Sequence, residues 1–94
     1  MKKALYLGLA ALAFSSVTFT VQAAEEEFYG VIESRPEGTN VGTWVVSGRT
    51  LEVTNATELE QKHGPLVVGA CVEVEIEGGV VEEIESKKKD KCAQ

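Results

Sequence analysis

Cys71 and Cys92 hold the most reactive chemistry in this chain, and they are its only cysteines. An even cysteine count in a small chain reads as a disulfide where the compartment is oxidising, and two cysteines have one intramolecular pairing. The bridge would close a loop of about 20 residues and contribute roughly 3 kcal/mol in the chain-entropy view. The competing use is a metal site, in which Cys71, Cys92 and His63, the only histidine, act as soft or borderline ligands. Disulfide formation would remove both thiolates, and no C-x-x-C pair is present.

Hydrolytic chemistry finds less support. Ser34, Ser47 and Ser86 sit at expected strand ends with no base within foreseeable reach, and His63-Gly64-Pro65 reads as an exposed turn. Glutamates are abundant, but alternating glutamates on a strand are its wet face. No enzyme activity and no cofactor are expected. Arg35, Asn40, Trp44 and His63 are the candidate binding residues, carried by the loops Arg35 to Val41 and Asn55 to Gly69 and by the strand between them.

The compartment follows from the first 23 residues. Lys2 and Lys3 open the chain, Ala4 to Phe14 is an unbroken apolar run, and Val21-Gln22-Ala23 places small residues where a signal peptidase cuts. The run is too short for a retained anchor, which needs ~20 apolar residues. Residues 1–23 are therefore expected to be a cleaved signal helix, leaving a periplasmic or secreted protein with no stable membrane span. The whole chain has 94 residues and a formal charge of −6. Removing two lysines makes the remainder more acidic still. Such a surface repels nucleic acid and anionic lipid. The expected partner is an envelope protein or glycan, and the expected state is a monomer.

Residues 24–27 read as a mobile acidic leader, 28–86 as the folded domain and 87–94 as a lysine-rich tail. Within the domain apolar residues alternate with period two, most clearly in Val72-Glu73-Val74-Glu75-Ile76-Glu77. This alternation predicts five strands: Phe28 to Ser34, Gly42 to Ser47, Thr50 to Thr54, Ala70 to Glu77 and Val80 to Ser86. Gly48-Arg49 and Gly78-Gly79 suit type II′ hairpin turns. Thr57 to Lys62 allows one helical turn, or a stub of strand around Leu59. Val81 and Ile84 break parity, which predicts either a bulge at Glu82-Glu83 or an inward Val80. The interior would hold Phe28, Ile32, Trp44, Val46, Leu51, Val53, Leu59, Val72, Val74, Ile76 and Ile84. Five short strands, tight hairpins and bend glycines at Gly30 and Gly42 predict an all-β, closed or nearly closed five-stranded barrel of OB type.

The order G-V-I-E, G-T-W-V-V-S-G-R-T-L-E-V-T, N-A-T-E-L and G-P-L-V-V-G-A-C-V-E-V-E-I resembles a bacterial family of small exported OB-like barrels of unknown function. The resemblance runs from Phe28 to about Ser86. It implies a fold and a compartment and supplies no catalytic residues. In size and strand order the chain is also similar to a small periplasmic copper chaperone. That family uses methionine and histidine ligands beside a tryptophan; Trp44 is present, but Met1 is the only methionine and belongs to the signal.

Overall fold

The computed structural model describes residues 25–93. The expected signal, with Ala24 and Gln94, lies outside the described residues. The valine–glutamate alternation forms a strand buried on one side, β5 (Cys71–Glu77), at the centre of the sheet. β1 (Glu25–Ser34) and β6 (Val80–Ser86) flank it, both antiparallel. Beyond β1 come β2 (Gly42–Val46) and β3 (Arg49–Val53); beyond β6 comes β4 (Glu58–Glu60), parallel to it. The result is one six-stranded mixed sheet in the order β3-β2-β1-β5-β6-β4.

Two corrections follow. There are six strands rather than five, because Glu58–Glu60 pairs with Glu83 to Glu85 as a strand and not as a helical turn. The sheet is open rather than closed. The chain turns out of β3 at Thr54, and Thr57 occupies the seam beside β6. Its hydroxyl accepts a hydrogen bond from the Thr54 N–H at 3.1 Å and donates one to the Val81 carbonyl at 2.9 Å. A side chain thus satisfies a carbonyl that a closing ladder would have used.

The acidic leader is not loose where it is described. Glu25 to Glu27 extend β1 and pair with Glu77, Ile76 and Glu75, because β5 runs far enough to offer them a pairing edge. Arg49 secures this end. It grips the Glu26 carboxylate with two nitrogens, at 2.6 and 3.2 Å, and lies 4.3 Å from the Phe28 ring centroid.

β1 serves two neighbours, pairing with β5 up to Val31 and with β2 from Ile32. Gly30 sits at the crossing. A Cβ there would stand 2.7 Å from Val46 Cγ1 and 2.8 Å from Ser47 Oγ, so only glycine lets the strands approach. The β2–β3 hairpin turns at Ser47-Gly48 rather than at Gly48-Arg49. Both residues have positive φ, 45° and 82°, the type I′ pattern rather than II′. Ser47 is held there because its hydroxyl accepts the Val31 N–H and its own N–H donates to the Val31 carbonyl, both at 2.9 Å. Gly78-Gly79 also has two positive φ values and is likewise type I′.

The parity break in β6 is a bulge. Glu75 pairs with Glu83 and Ile76 with Val81, leaving Glu82 as the extra residue. Val81 and Ile84 are both buried, and Val80 is exposed. The core otherwise holds Ile32, Trp44, Val46, Leu51, Val53, Leu66, Val72 and Val74. Phe28, Leu59 and Ile76, expected inside, are only partly buried, while Leu66 is an unforeseen member. Leu66 lies in a loop without alternation, so no period announces it. Among the described residues, the strand ladders share one core cluster, and the disulfide ties the tail to the sheet.

Candidate functional site

The two long loops meet at Arg35. Its guanidinium donates to the Leu66 carbonyl at 2.6 Å, the Thr39 carbonyl at 3.0 Å and Asn40 Oδ1 at 2.5 Å. It also stacks 4.3 Å from the Trp44 ring centroid. Trp44 has no exposed surface, and its indole N–H donates to the Asn40 carbonyl at 2.9 Å. Arg35, Asn40 and Trp44 are thus brought together as one knot. These groups are engaged with one another and with backbone; they brace the loops and leave Trp44 no face for a ligand.

His63 lies apart from that knot. Its backbone N–H donates to Ser86 Oγ at 2.8 Å, and Ser86 is buried. The serine beside the only histidine thus supports the loop. His63 lines an open groove of about 410 Å³, together with Val67, Val68, Lys87, Lys88 and Lys89. Val67 and Val68 stand 51% and 62% exposed and are adjacent in the chain, unlike Tyr29, Val41 and Val80, the other exposed large apolar residues among those described. The loop that carries them is anchored at both ends. Leu66 is buried beneath it, and the Gly69 N–H donates to the Ile32 carbonyl at 2.8 Å.

The opposite wall of the groove is the tail, and the disulfide puts it there. Cys71 and Cys92 are bonded, with their Cα atoms 5.8 Å apart. The Lys87 N–H donates to the Cys71 carbonyl at 2.9 Å, and Lys89–Lys91 forms a single 3-10 turn leading into Cys92. A smaller hollow of about 240 Å³ beside the bridge is lined by Val31, Gly69, Cys71, Lys89, Cys92 and Ala93. The two hollows share Gly69, Cys71 and Lys89, so they form one face around the bridge. With both sulfurs bonded, the set of Cys71, Cys92 and His63 retains a single ligand for a metal, His63.

Next to this face lies its electrostatic opposite. Strand register aligns Glu27, Glu75, Glu83 and Glu58 in one row across four strands, and Tyr29, Glu73, Glu85 and Glu60 in the next. Like charges opposite one another oppose pairing. The Glu73 carboxylate, helped by burial and by Glu75, holds the Glu27 carboxyl above the ordinary glutamate range. Burial, then Glu85 and Glu75, pushes Glu83 up as well. Lys87 closes the second row, with Nζ 3.5 Å from Glu73 and 3.4 Å from Glu85. Burial pulls its ammonium pKa down, but the two carboxylates outweigh this and the net shift is upward. Lys87 thus separates the acidic face from Lys88, Lys89 and Lys91, which form no ion pair among the described residues.

Sequence reasoning named His63 but not Val67 and Val68, which line the same groove. A signal was available: Pro65-Leu66-Val67-Val68-Gly69 is an apolar run bounded by turn residues and too short to bury itself wholly.

The class these features define is a small all-β domain with a six-stranded open sheet and one disulfide. Residues 29–80, more than half the chain, match a domain of unknown function, DUF5666, and the chain belongs to that family. The match ends at the start of β6, so Lys87 to Cys92 lie beyond it. No curated protein and no solved structure matches the chain. Among the described residues no helix is long and apolar enough to cross a membrane.

Proposed function

We propose that this protein is an exported, non-catalytic binding or assembly module of the cell envelope, working in the periplasm or outside the cell. Its contact surface is the face around the disulfide. The observation that carries this reading is the exposed Val67-Val68 pair set opposite Lys88 and Lys89 on a braced platform. Exposed apolar residues that lie together, rimmed by charged side chains, mark a contact surface. The basic start and apolar run of residues 1–23 support export, and so does a disulfide in a domain this small.

The fold reading that goes with it is an OB-like arrangement, a partly open five-stranded barrel in which β3 and β4 are one interrupted strand. Its support is the strand order: the two ends of the sheet, β3 and β4, are consecutive in the chain, and Thr57 bridges the seam to β6.

The test is capture from an envelope extract containing protein, glycan and membrane fragments, using immobilised residues 24–94. The wild type is expected to retain a component that a Val67→Ser/Val68→Ser variant with an unchanged melting temperature releases. Equal retention by both, or none by the wild type, contradicts the reading.

A further inference from the structure

We propose that the partner of this face is an anionic lipid bilayer, on which Val67 and Val68 enter the headgroup layer while Lys88, Lys89 and Lys91 meet lipid phosphates. The proposal rests on the contact surface described above and names what covers it; it departs from the expectation that net acidity repels anionic lipid, because lysines with no ion pair among the described residues are gathered on this face.

Four observations carry it. First, Val67 and Val68 and the lysines Lys88 and Lys89 line one open groove instead of a deep pocket, so the face suits a broad layer better than a compact solute. Secondly, the lysines are exposed and form no ion pair among the described residues, although acidic residues outnumber basic ones by 15 to 9 in the whole chain. Cations left unpaired on so acidic a protein are available to an external anion, and only Asp90 interrupts them. Thirdly, Lys87 binds Glu73 and Glu85 and so offsets part of the negative charge at the edge of the glutamate rows nearest the strip. The other glutamates of those rows, Glu27, Glu75, Glu83, Glu58 and Glu60, lie on β1, β5, β6 and β4, where salt screens them over ~8 Å. Fourthly, the Cys71–Cys92 bond and the Arg35–Leu66 hydrogen bond hold both walls in place before contact, so little ordering cost falls on binding.

Lysine stems lying along apolar surface with their ammonium groups at phosphate level are the usual interfacial arrangement. A basic residue near an anionic bilayer contributes ~1 kcal/mol, which is about fivefold in affinity at ~1.4 kcal/mol per tenfold. Replacing all three should weaken binding by about a hundredfold.

Flotation of residues 24–94 with phosphatidylcholine vesicles, with and without phosphatidylglycerol, tests this. The domain should float with the anionic vesicles only, and added salt should release it. Lys88→Gln/Lys89→Gln/Lys91→Gln should weaken binding by about a hundredfold, and Val67→Ser/Val68→Ser by about tenfold. Glu52→Gln, on the distant β3, should leave binding unchanged. Circular dichroism melts on each variant separate lost binding from lost fold. Failure to float with either vesicle overturns the proposal, as do floating that ignores the lysine and valine variants and saturable binding of soluble glycerol phosphate without vesicle binding. If flotation fails while capture from the envelope extract still depends on Val67 and Val68, the bilayer is overturned and the contact surface stands.

Discussion

Glu83 shows how a single side chain reports on the whole acidic face. It sits between Glu75 and Glu58 in a row of like charges, and burial with those neighbours raises its carboxyl pKa. A carboxyl whose folded pKa lies above its unfolded value favours the folded state when protonated. Its contribution is fully present below the ordinary glutamate value near 4.5 and is lost as pH rises through the folded value. Glu27 has the same sign. Glu26, lowered by its hydrogen bond to Arg49, has the opposite sign and loses its contribution only at more acid pH. The melting temperature should therefore rise as pH falls from neutral toward the ordinary glutamate value of 4.5, before the pairs of lowered pKa fail at more acid pH. Glu83→Gln should raise the melting temperature at neutral pH and flatten the rise. Thermal melts across that range check both, and a monotonic fall with acid contradicts the charge reading.

At the scale of elements, the bulge in β6 decides which residues enter the core. Its extra residue, Glu82, lets Val81 and Ile84 face the same side although they are three apart. Deleting Glu82 leaves Val81 and Ile84 two apart, the spacing that keeps both on the core face of a regular strand with the same partners on β5. Chemical denaturation of the deletion should therefore show a midpoint close to the wild type. A loss of ~1.5–3 kcal/mol, the cost of exposing a buried valine or isoleucine, would contradict this account of the bulge. The alternation of apolar and acidic residues made β5 and β6 legible in advance, and the broken parity pointed to the bulge. Glu25 to Glu27 were not legible, because their strand exists only through pairing with β5, fifty residues away in sequence. The hairpin turn was misread because Gly48 alone invites a II′ turn. The I′ turn needs positive φ at Ser47, and the distant Val31 stabilises it.

The whole molecule depends on where the disulfide holds the tail. Cysteine parity made the bond legible. Its consequence, a lysine wall facing Val67 and Val68, was hidden because it depends on the path of the last residues over the sheet. Arg35, Asn40 and Trp44 were named as binding residues, and their types could not show that they satisfy one another. Reducing the bond should lower the unfolding free energy by roughly 3 kcal/mol and free the tail. Denaturation with and without reductant measures the first effect; an unchanged midpoint would show that the bond carries no stability.

The central claim concerns the face around that bond, and photo-crosslinking in the cells that make the protein tests it most directly. A photoreactive side chain would be placed in turn at Val67, Val68 and Lys88, and at Glu52 and Glu75 elsewhere on the surface. Adducts to an envelope component from the first three positions and none from the other two are the expected result. Adducts from Glu52 or Glu75 alone, or from no position, would contradict it.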